Sequence, residues 1–375
     1  MIYFDNAATT YPKPAEVYKA IDFANRNFAF NAGRGTYDVA HQTLEMITDT
    51  RQLLGNLVGV TGDTVSFESS ATEALNIIIY GLGLEEGDTV YISPFEHNAV
   101  VRPLYNLKTI RNINIEVLPF DRDTWEFDEN RANDLFSLKK PKAVFVSHIS
   151  NVTGYVLPFE KIFALSKKYG AITVLDCSQS LGVLNPSIEN VDFLVFAGHK
   201  SLYATFGVAG FMNLTGIRLN VIKSGGTGSD SLNHYMPENG NGRYEAGSIN
   251  SVSIAGLNQS IKWLVKQNIF QHEKELTDYL ISSLLGMEKI QLYLPSNTKN
   301  ILGIVSVNVE GYSPVDVGTI LNDEFEICVR TGYHCSPFVH EFIGSKERMG
   351  TVRISIGAFN TKEEVEQLVK AINTF

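Results

Sequence analysis

The chain has 375 residues and a formal net charge of −10 at pH 7, with 44% hydrophobic and 19% charged residues. This length favours one large domain with a smaller one, and the composition is typical of a water-soluble enzyme. The acidic balance argues against nucleic acid or an anionic membrane surface as the main partner, because both attract clustered Lys and Arg.

Cysteine content and hydropathy indicate the cellular location of the protein and the kinds of site that it lacks. Cys177, Cys328 and Cys335 form an odd set without a close pair, unlike a disulfide framework or a zinc site. The sequence has no apolar run of about 18 residues, and its N-terminus lacks the basic and apolar pattern of a signal peptide. We therefore expect a cytoplasmic location, no membrane span and no metal site, with any important thiol acting singly.

Along the chain, β-branched and aromatic segments alternate with segments of helical periodicity. The predicted helices begin at Ser70 and cover 98–107 and 159–169, and the predicted strands cover 64–68, 88–92, 143–147, 172–175 and 191–196. This alternation is typical of parallel β-α-β units, in which ligands bind beyond the carboxyl ends of the strands. One crevice should then be lined by residues 68–72, 96–97, 148–151, 176–179 and 199–200.

Two helix starts carry the capping-box pattern, Ser70 with Glu73 and Thr361 with Glu364. At the second, a structural role is sufficient. At the first, the small residues Ala71 and Thr72 also leave backbone N–H groups available for a phosphate, which the helix dipole favours. The structural and the functional interpretation coexist there.

Beyond a helix predicted over 253–266 the pattern changes. Strands are predicted over 301–309, 326–330 and 352–356, and helices over 314–322 and 361–372. We therefore predict an α/β chain with a mostly parallel central sheet flanked by helices and a smaller α+β domain at the C-terminus. The large domain would cover residues 15–260, and residues 1–14 and 261–375 would form the small one.

Lys200 follows a predicted strand and is a candidate for imine chemistry, because a lysine amine in a dry pocket can lose its proton and attack a carbonyl. Taken alone, it is more often a solvated surface charge. Asp176 ends the preceding predicted strand, where it could cap a helix or hold a protonated pyridine nitrogen. Both groups together suit pyridoxal phosphate (PLP), whose aldehyde would bind Lys200.

These residues belong to a series of short motifs in a specific order. The chain resembles the class V aminotransferase branch of fold-type I PLP enzymes, and most closely the cysteine desulfurases and selenocysteine lyases with a short active-site cysteine loop. The resemblance spans nearly the whole chain and rests on residues 3–10, 31–35, 70–74, 96–98, 150–154, 176–180, 198–200, 330–335 and 353–355.

The resemblance implies a role for each matching residue. Lys200 would bind PLP covalently, Asp176 would pair with its ring nitrogen, and His97 would stack on the ring and carry protons. The ring oxygen would be held by Asn151 and Gln179, and the phosphate by Ala71, Thr72 and His199. Ser248 would reach the phosphate of a neighbouring subunit, which implies a homodimer with shared sites. The substrate would be bound by Arg353, with secondary contacts from Arg330, Arg34 and Asn6.

Cys335 selects among the reactions of this family. It lies in a turn-like segment beside His334, and a nearby cation would lower its pKa and create a nucleophilic thiolate. The resemblance then implies release of alanine from L-cysteine or L-selenocysteine, a persulfide on Cys335, and a protein that accepts the sulfur or selenium. The alternatives are an aminotransferase, β-lyase or epimerase in which Cys335 is incidental, or a cofactor-free binding protein that retains the fold.

Overall fold

The computed structural model describes residues 1–32, 35–228 and 231–375. Its helices are α1 Ala15–Asn27, α2 Asp38–Val58, α3 Ala71–Gly81, α4 Asn98–Arg111, α5 Glu129–Leu138, α6 Phe159–Lys168, α7 Ser251–Leu264, α8 Ile269–Leu284, α9 Pro314–Phe325, α10 Pro337–Phe342 and α11 Lys362–Ile372. Its strands are β1 Ile2–Tyr3, β2 Val65–Glu68, β3 Thr89–Ile92, β4 Asn114–Val117, β5 Pro141–Ser147, β6 Ile172–Asp176, β7 Phe193–Ala197, β8 Ala209–Asn213, β9 Ile290–Leu292, β10 Ile304–Val309, β11 Ile327–Cys328, β12 Arg330–Gly332 and β13 Thr351–Ser355.

The central sheet has the strand order β2-β8-β7-β6-β5-β3-β4 among the described residues. The neighbouring strands β7, β6, β5, β3 and β4 pair in parallel, whereas β8 is antiparallel to both β2 and β7. The predicted mostly parallel sheet is therefore confirmed. The antiparallel strand β8 follows the turn after β7 without a helix, and no strand was predicted there.

Alternate residues of each central strand enter two different hydrophobic cores, as the period of a β-strand requires. Val144 and Val146 of β5 pack in the larger core, and Ala143 and Phe145 pack in the other. Because helices cover both faces, the strands are apolar in consecutive positions. This burial holds the carboxyl ends of the strands in fixed positions at one edge of the sheet.

A second sheet has the order β12-β13-β10-β9 and is antiparallel, and β1 pairs in parallel with β11. The prediction of one strand over 326–330 is wrong. The chain instead leaves β11 at Val329 and enters β12, which pairs with β13 and places Arg330 opposite Arg353. The division of the chain into residues 15–260 and the remainder stays a prediction.

The helix ends agree with the predicted caps in one case and differ in the other. Thr361 and Glu364 form a complete capping box at α11. At α3, Ser70 accepts from the Glu73 N–H, but the Glu73 carboxylate turns to Ser69 and to Lys223. In the described parts of the chain, every helix is too short or too polar to span a lipid bilayer.

The ion pair between Arg51 and Glu245 generates a stability prediction. Both guanidinium nitrogens lie 2.7 Å from carboxylate oxygens, and Glu245 also accepts the Phe67 N–H at 2.6 Å. The side chains are 11% and 5% exposed. Glu245→Ala should lower the free energy of unfolding in urea by about 3 kcal/mol, because it leaves a buried guanidinium unpaired.

The control for this prediction is the exposed pair of Lys262 and Asp49, with side chains 42% and 49% exposed. Lys262→Ala should cost less than about 1 kcal/mol in the same urea titration, because water screens the pair. Equal losses in the two variants would contradict the assignment of Glu245 as a buried structural anchor.

Candidate active site

A cavity of about 220 Å³ lies at the carboxyl edge of the central sheet. Segments that end β5, β6 and β7 meet there with the start of α3 and the segment after β12. The cavity is lined by most of the predicted site residues, namely Ala71, Thr72, His97, Asn151, Asp176, Gln179, His199, Lys200, Arg330, Cys335 and Arg353. The prediction that distant strand ends share one crevice is therefore confirmed.

Lys200 lies in the turn that follows β7, and its carbonyl accepts the Tyr203 N–H at 2.8 Å. Burial lowers the pKa of Lys200, and the nearby Asp176 carboxylate opposes part of that change. A lysine whose pKa is lowered keeps more of its amine in the neutral, nucleophilic form. The alternative of a solvated surface lysine does not fit this position.

Asp176 ends β6 and is 8% exposed. One of its carboxylate oxygens accepts the Ser178 N–H at 2.9 Å, which closes a tight turn after the strand. The residue thus has a local structural role, as one predicted alternative required, and it also lines the cavity with Lys200. Its carboxylate can pair with a positively charged ring nitrogen in that cavity.

His97 precedes α4 and caps it, because its Nδ1 accepts the Ala99 N–H at 3.0 Å. The ring proton must then lie on Nε2. Burial, and after it the positive charges of Lys200 and Arg330, lower the pKa of His97 to about 3. The ring is therefore neutral at physiological pH, which suits a stacking ring that carries an N–H donor.

The start of α3 and His199 form a polar end of the cavity. The first N–H groups of a helix have no partner within it, and Ser70 serves only the N–H of Glu73 here. His199 stacks on Phe206 with ring centres 4.5 Å apart, and its buried Nδ1 has no hydrogen-bond partner among the described residues. An anion such as a phosphate would complete these groups.

Hydrogen bonds within the chain orient the side-chain amides of Asn151 and Gln179. Asn151 Nδ2 donates to the His334 carbonyl at 2.8 Å, and its Oδ1 accepts from the Ser336 hydroxyl at 2.6 Å. Gln179 Nε2 donates to the Ala7 carbonyl at 2.9 Å. Each amide NH₂ carries a second hydrogen, which can be donated to a ring oxygen in the cavity.

Arg353 is 1% exposed and lines the cavity from β13. Its Nη2 binds the Asp5 carboxylate at 2.6 Å, its Nη1 binds the Asn151 carbonyl at 2.9 Å, and its buried Nε has no partner among the described residues. Arg330 lies opposite on the neighbouring strand. The two guanidinium groups create a region that favours a carboxylate.

Cys335 lines the cavity in a turn where both His334 and Cys335 have positive φ, 47° and 59°. His334 lies beside the thiol but does not supply the positive charge near it. Burial, with a further contribution from Arg353, lowers the pKa of His334 to about 2, so that its ring is neutral. The cations that share the cavity with Cys335 are Lys200, Arg330 and Arg353.

Two predicted residues, Asn6 and Ser248, are described by the structure but do not line this cavity. The Asn6 side chain donates to the Ser355 carbonyl at 2.9 Å and to Asn360 Oδ1 at 3.1 Å, and it lines a different pocket. Ser248 lines other hollows of the same chain, and Arg34 lies outside the described residues. Their assigned roles stay predictions.

Lys13 is a buried residue that the sequence did not single out. Its amine donates to the Thr10 hydroxyl at 2.6 Å, the Thr9 hydroxyl at 3.3 Å and the His199 carbonyl at 2.8 Å. It therefore holds the turn that carries Lys200. The sequence could not identify this role, because the His199 carbonyl that Lys13 binds lies 186 residues away.

The chain is similar in sequence to known proteins. The family described as "Aminotransferase class-V" matches residues 2–368. A probable cysteine desulfurase from Methanothermobacter thermautotrophicus is 30% identical, with 98% of this chain and 92% of the relative covered. A second, from Pyrococcus abyssi, is also 30% identical and covers 100% of this chain and 96% of its own length.

Two solved structures have a similar fold. The apo cysteine desulfurase from Thermococcus onnurineus NA1 superposes with a TM-score of 0.91 at 30% identity, covering 100% of this chain and 94% of the other. The cysteine desulfurase CsdA from Escherichia coli superposes with a TM-score of 0.87 at 22% identity, covering 99% and 94%. The second likeness shows the fold alone, and both support the predicted fold class.

Lys13 generates a prediction on the pH dependence of stability. Burial lowers its pKa from the ordinary value of 10.5 to about 7. Between these values the unfolded chain binds more protons than the folded one, so that this residue makes the free energy of unfolding rise with pH. In Lys13→Met the free energy of unfolding should therefore rise less steeply with pH. Between pH 7.5 and 9.5 its slope should be lower than that of the wild type by up to about 1 kcal/mol per pH unit.

The measurement is urea unfolding of both proteins at several pH values in this range. Lys19→Met serves as the control, because Lys19 is exposed on α1. Its stability curve should run parallel to that of the wild type. A parallel curve for Lys13→Met as well would show that the Lys13 amine keeps an ordinary pKa in the folded protein.

Proposed function

This chain belongs to the class-V aminotransferase family, and we propose that it is a PLP-dependent cysteine desulfurase that releases alanine from L-cysteine and forms a persulfide on Cys335. The observation that carries the proposal is the position of Cys335, which lines the same cavity as Lys200, Asp176 and Arg353. A thiol placed there can reach the sulfur of an amino acid bound beside Lys200. The similarity to proteins described as cysteine desulfurases supports the same activity.

The residues of the cavity suit PLP. Lys200 supplies a buried amine for the aldehyde, and Asp176 supplies a carboxylate for the ring nitrogen. The phosphate would bind at the start of α3 and at His199 Nδ1, which has no hydrogen-bond partner in the described part of the chain. The neutral His97 ring would cover the ring face. When bound, PLP supplies an electron sink for the electron pair that remains when the amino acid loses its Cα proton.

The reaction then depends on groups of this chain. Arg353, with Arg330 opposite, binds the carboxylate of the amino acid and orients its Cα–H bond. The Lys200 amine, whose pKa burial lowers, takes the Cα proton. Nε2–H of the neutral His97 donates a hydrogen bond near the reacting atoms.

The sulfur step is carried by Cys335. Its thiolate attacks the substrate sulfur, so that an S–S bond forms and the Cβ–S bond breaks. The electron pair of the broken bond goes to the substrate carbon, which takes a proton and leaves as part of alanine. The persulfide on Cys335 is a carrier state, and the thiol of an acceptor removes its terminal sulfur. A reducing cytoplasm, in which free thiols persist, belongs to this proposal.

We further propose that the protein is a homodimer in which Ser248 contacts the phosphate bound by the neighbouring subunit. Ser248 does not line the cavity of its own chain. Phe206, next to Gly207 that lines a hollow with Ser248, is 65% exposed, and Leu232 and Tyr235, in the segment that leads to Ser248, are 93% and 85% exposed. A second copy would cover this apolar surface.

Replacing Cys335 tests the sulfur step. Cys335→Ala should lower the rate of alanine formation from L-cysteine in the presence of a reductant at least about a hundredfold, because no thiol can attack the substrate sulfur. The absorbance of the Lys200-bound cofactor should remain. The measurement compares L-cysteine with L-selenocysteine and uses mass spectrometry to find the added sulfur on wild-type Cys335.

Lys200→Ala is the matched control, since it should lose both the cofactor absorbance and alanine formation. Full activity of Cys335→Ala would instead favour an aminotransferase or β-lyase in which this cysteine is incidental. If wild-type protein forms alanine from neither amino acid, the proposed substrate is wrong.

The shared site is tested with mixed dimers. Ser248→Ala and Lys200→Ala should each bind PLP several-fold more weakly when pure. A dimer containing one chain of each variant should regain one site of wild-type affinity, because the chain with Lys200 then receives Ser248 from the other chain. Fluorescence titration with PLP measures this, and a mixture without any tight site would contradict the shared arrangement.

A further inference from the structure

The turn that carries Cys335 is unusual because two consecutive residues other than glycine adopt positive φ values. His334 has φ of 47° and Cys335 has φ of 59°. Left-handed backbone costs roughly 1–2 kcal/mol for each such residue, and it persists only where surrounding contacts hold it. The contacts that hold this turn therefore determine the position of the thiol.

The contacts involve two other parts of the chain, at Asn98 and Asn151, together with Ser336 next to Cys335. Asn151 Nδ2 donates to the His334 carbonyl at 2.8 Å, and the Asn98 N–H at the start of α4 donates to the Cys335 carbonyl at 2.7 Å. The Ser336 hydroxyl donates to Asn151 Oδ1 at 2.6 Å. The residues on both sides of Cys335 are thus bound to the same asparagine.

The Ser336 hydroxyl makes no other hydrogen bond among the described residues. It precedes α10 at the capping position, but its side chain makes no cap hydrogen bond there. It is fully buried, and Asn151 is 7% exposed, so water cannot replace their hydrogen bond easily. A hydroxyl without this partner would be a buried, unpaired polar group.

Asn151 also connects the turn to the substrate side of the cavity. Its main-chain carbonyl accepts Arg353 Nη1 at 2.9 Å, while its side chain holds the Cys335 turn. The acceptor and donor roles of the amide are unambiguous, because the His334 carbonyl can only accept. The carboxylate-binding arginine and the nucleophile are therefore positioned by one residue.

We propose that Ser336 is a positioning residue for Cys335: through Asn151 it holds the left-handed turn in the one conformation that directs the thiol into the cavity. This inference rests on the proposed function for the role of Cys335, but the clamp itself, formed by Ser336, Asn151 and the His334 carbonyl, is a property of the folded chain. Without the Ser336 hydroxyl, the turn relaxes toward ordinary φ values and the thiol leaves its position.

The test compares Ser336→Ala with Ser345→Ala in the full chain as purified. Ser345 is equally buried, and its hydroxyl binds His340 Nδ1 at 2.7 Å but makes no hydrogen bond to Ser336, Asn151 or the His334 carbonyl among the described residues. Amide hydrogen exchange of the peptide over 333–336 should be about tenfold faster in Ser336→Ala and unchanged in Ser345→Ala. Peptides from β6 and β7 should exchange at the wild-type rate in both.

The second measurement is steady-state kinetics with L-cysteine. In Ser336→Ala, kcat should fall at least about tenfold while KM stays within about twofold, because the substrate still binds at Arg353 but the attacking thiol is displaced. In Ser345→Ala both constants should stay near the wild-type values. A merely structural serine would not separate kcat from KM.

Unchanged exchange over 333–336 in Ser336→Ala overturns the clamp, whatever reaction the enzyme catalyses. Faster exchange with an unchanged kcat overturns the positioning role. The positioning role is also overturned if β6 and β7 exchange faster in Ser336→Ala, because the substitution would then have destabilised the whole protein and not the turn alone. Failure of the proposed function is recognised separately, because the wild type itself would then form no alanine.

Discussion

Arg353 is 1% exposed, and its guanidinium binds the Asp5 carboxylate at 2.6 Å and the Asn151 carbonyl at 2.9 Å. These contacts join three separate segments, since Arg353 lies in the second sheet, Asp5 follows β1 and Asn151 lies beyond the central sheet. Removing one partner of a buried charge costs about 3–5 kcal/mol, because the other charge stays buried and unpaired. The relative position of the two sheets, and with it the shape of the cavity, depends on this guanidinium.

The same constraint explains the charges of the cavity. Lys200, Arg330 and Arg353 bring positive charge to a confined space, and Asp176 brings negative charge. Burial lowers the pKa of both His97 and His199 to about 3, so that the two rings add no further charge. An environment of this kind favours a ligand with anionic groups, such as the phosphate of PLP and the carboxylate of an amino acid.

Much of the fold and of the site could be predicted because it depends on local patterns. Apolar runs identified the parallel strands, and polar residues directly after them, such as Asp176 and Lys200, marked the edge where ligands bind. The break at Val329 could not be predicted, since it depends on two partner strands, β1 and β13, that lie far away in the sequence. Lys13 and Ser336 were missed for the same reason, because each acts on a distant residue, His199 or Asn151.

Under the proposed function, the fixed turn also limits how sulfur can leave Cys335. The carbonyl groups of His334 and Cys335 are both hydrogen-bonded, and breaking two such bonds in a buried setting costs about 1–3 kcal/mol each. Cys335 nevertheless has an exposed side chain. The thiol can therefore be reached from outside without a large movement of its backbone. An acceptor that takes sulfur from Cys335 must then bring its own thiol to the mouth of the cavity, so its reach and shape, and not the motion of this turn, determine whether transfer occurs.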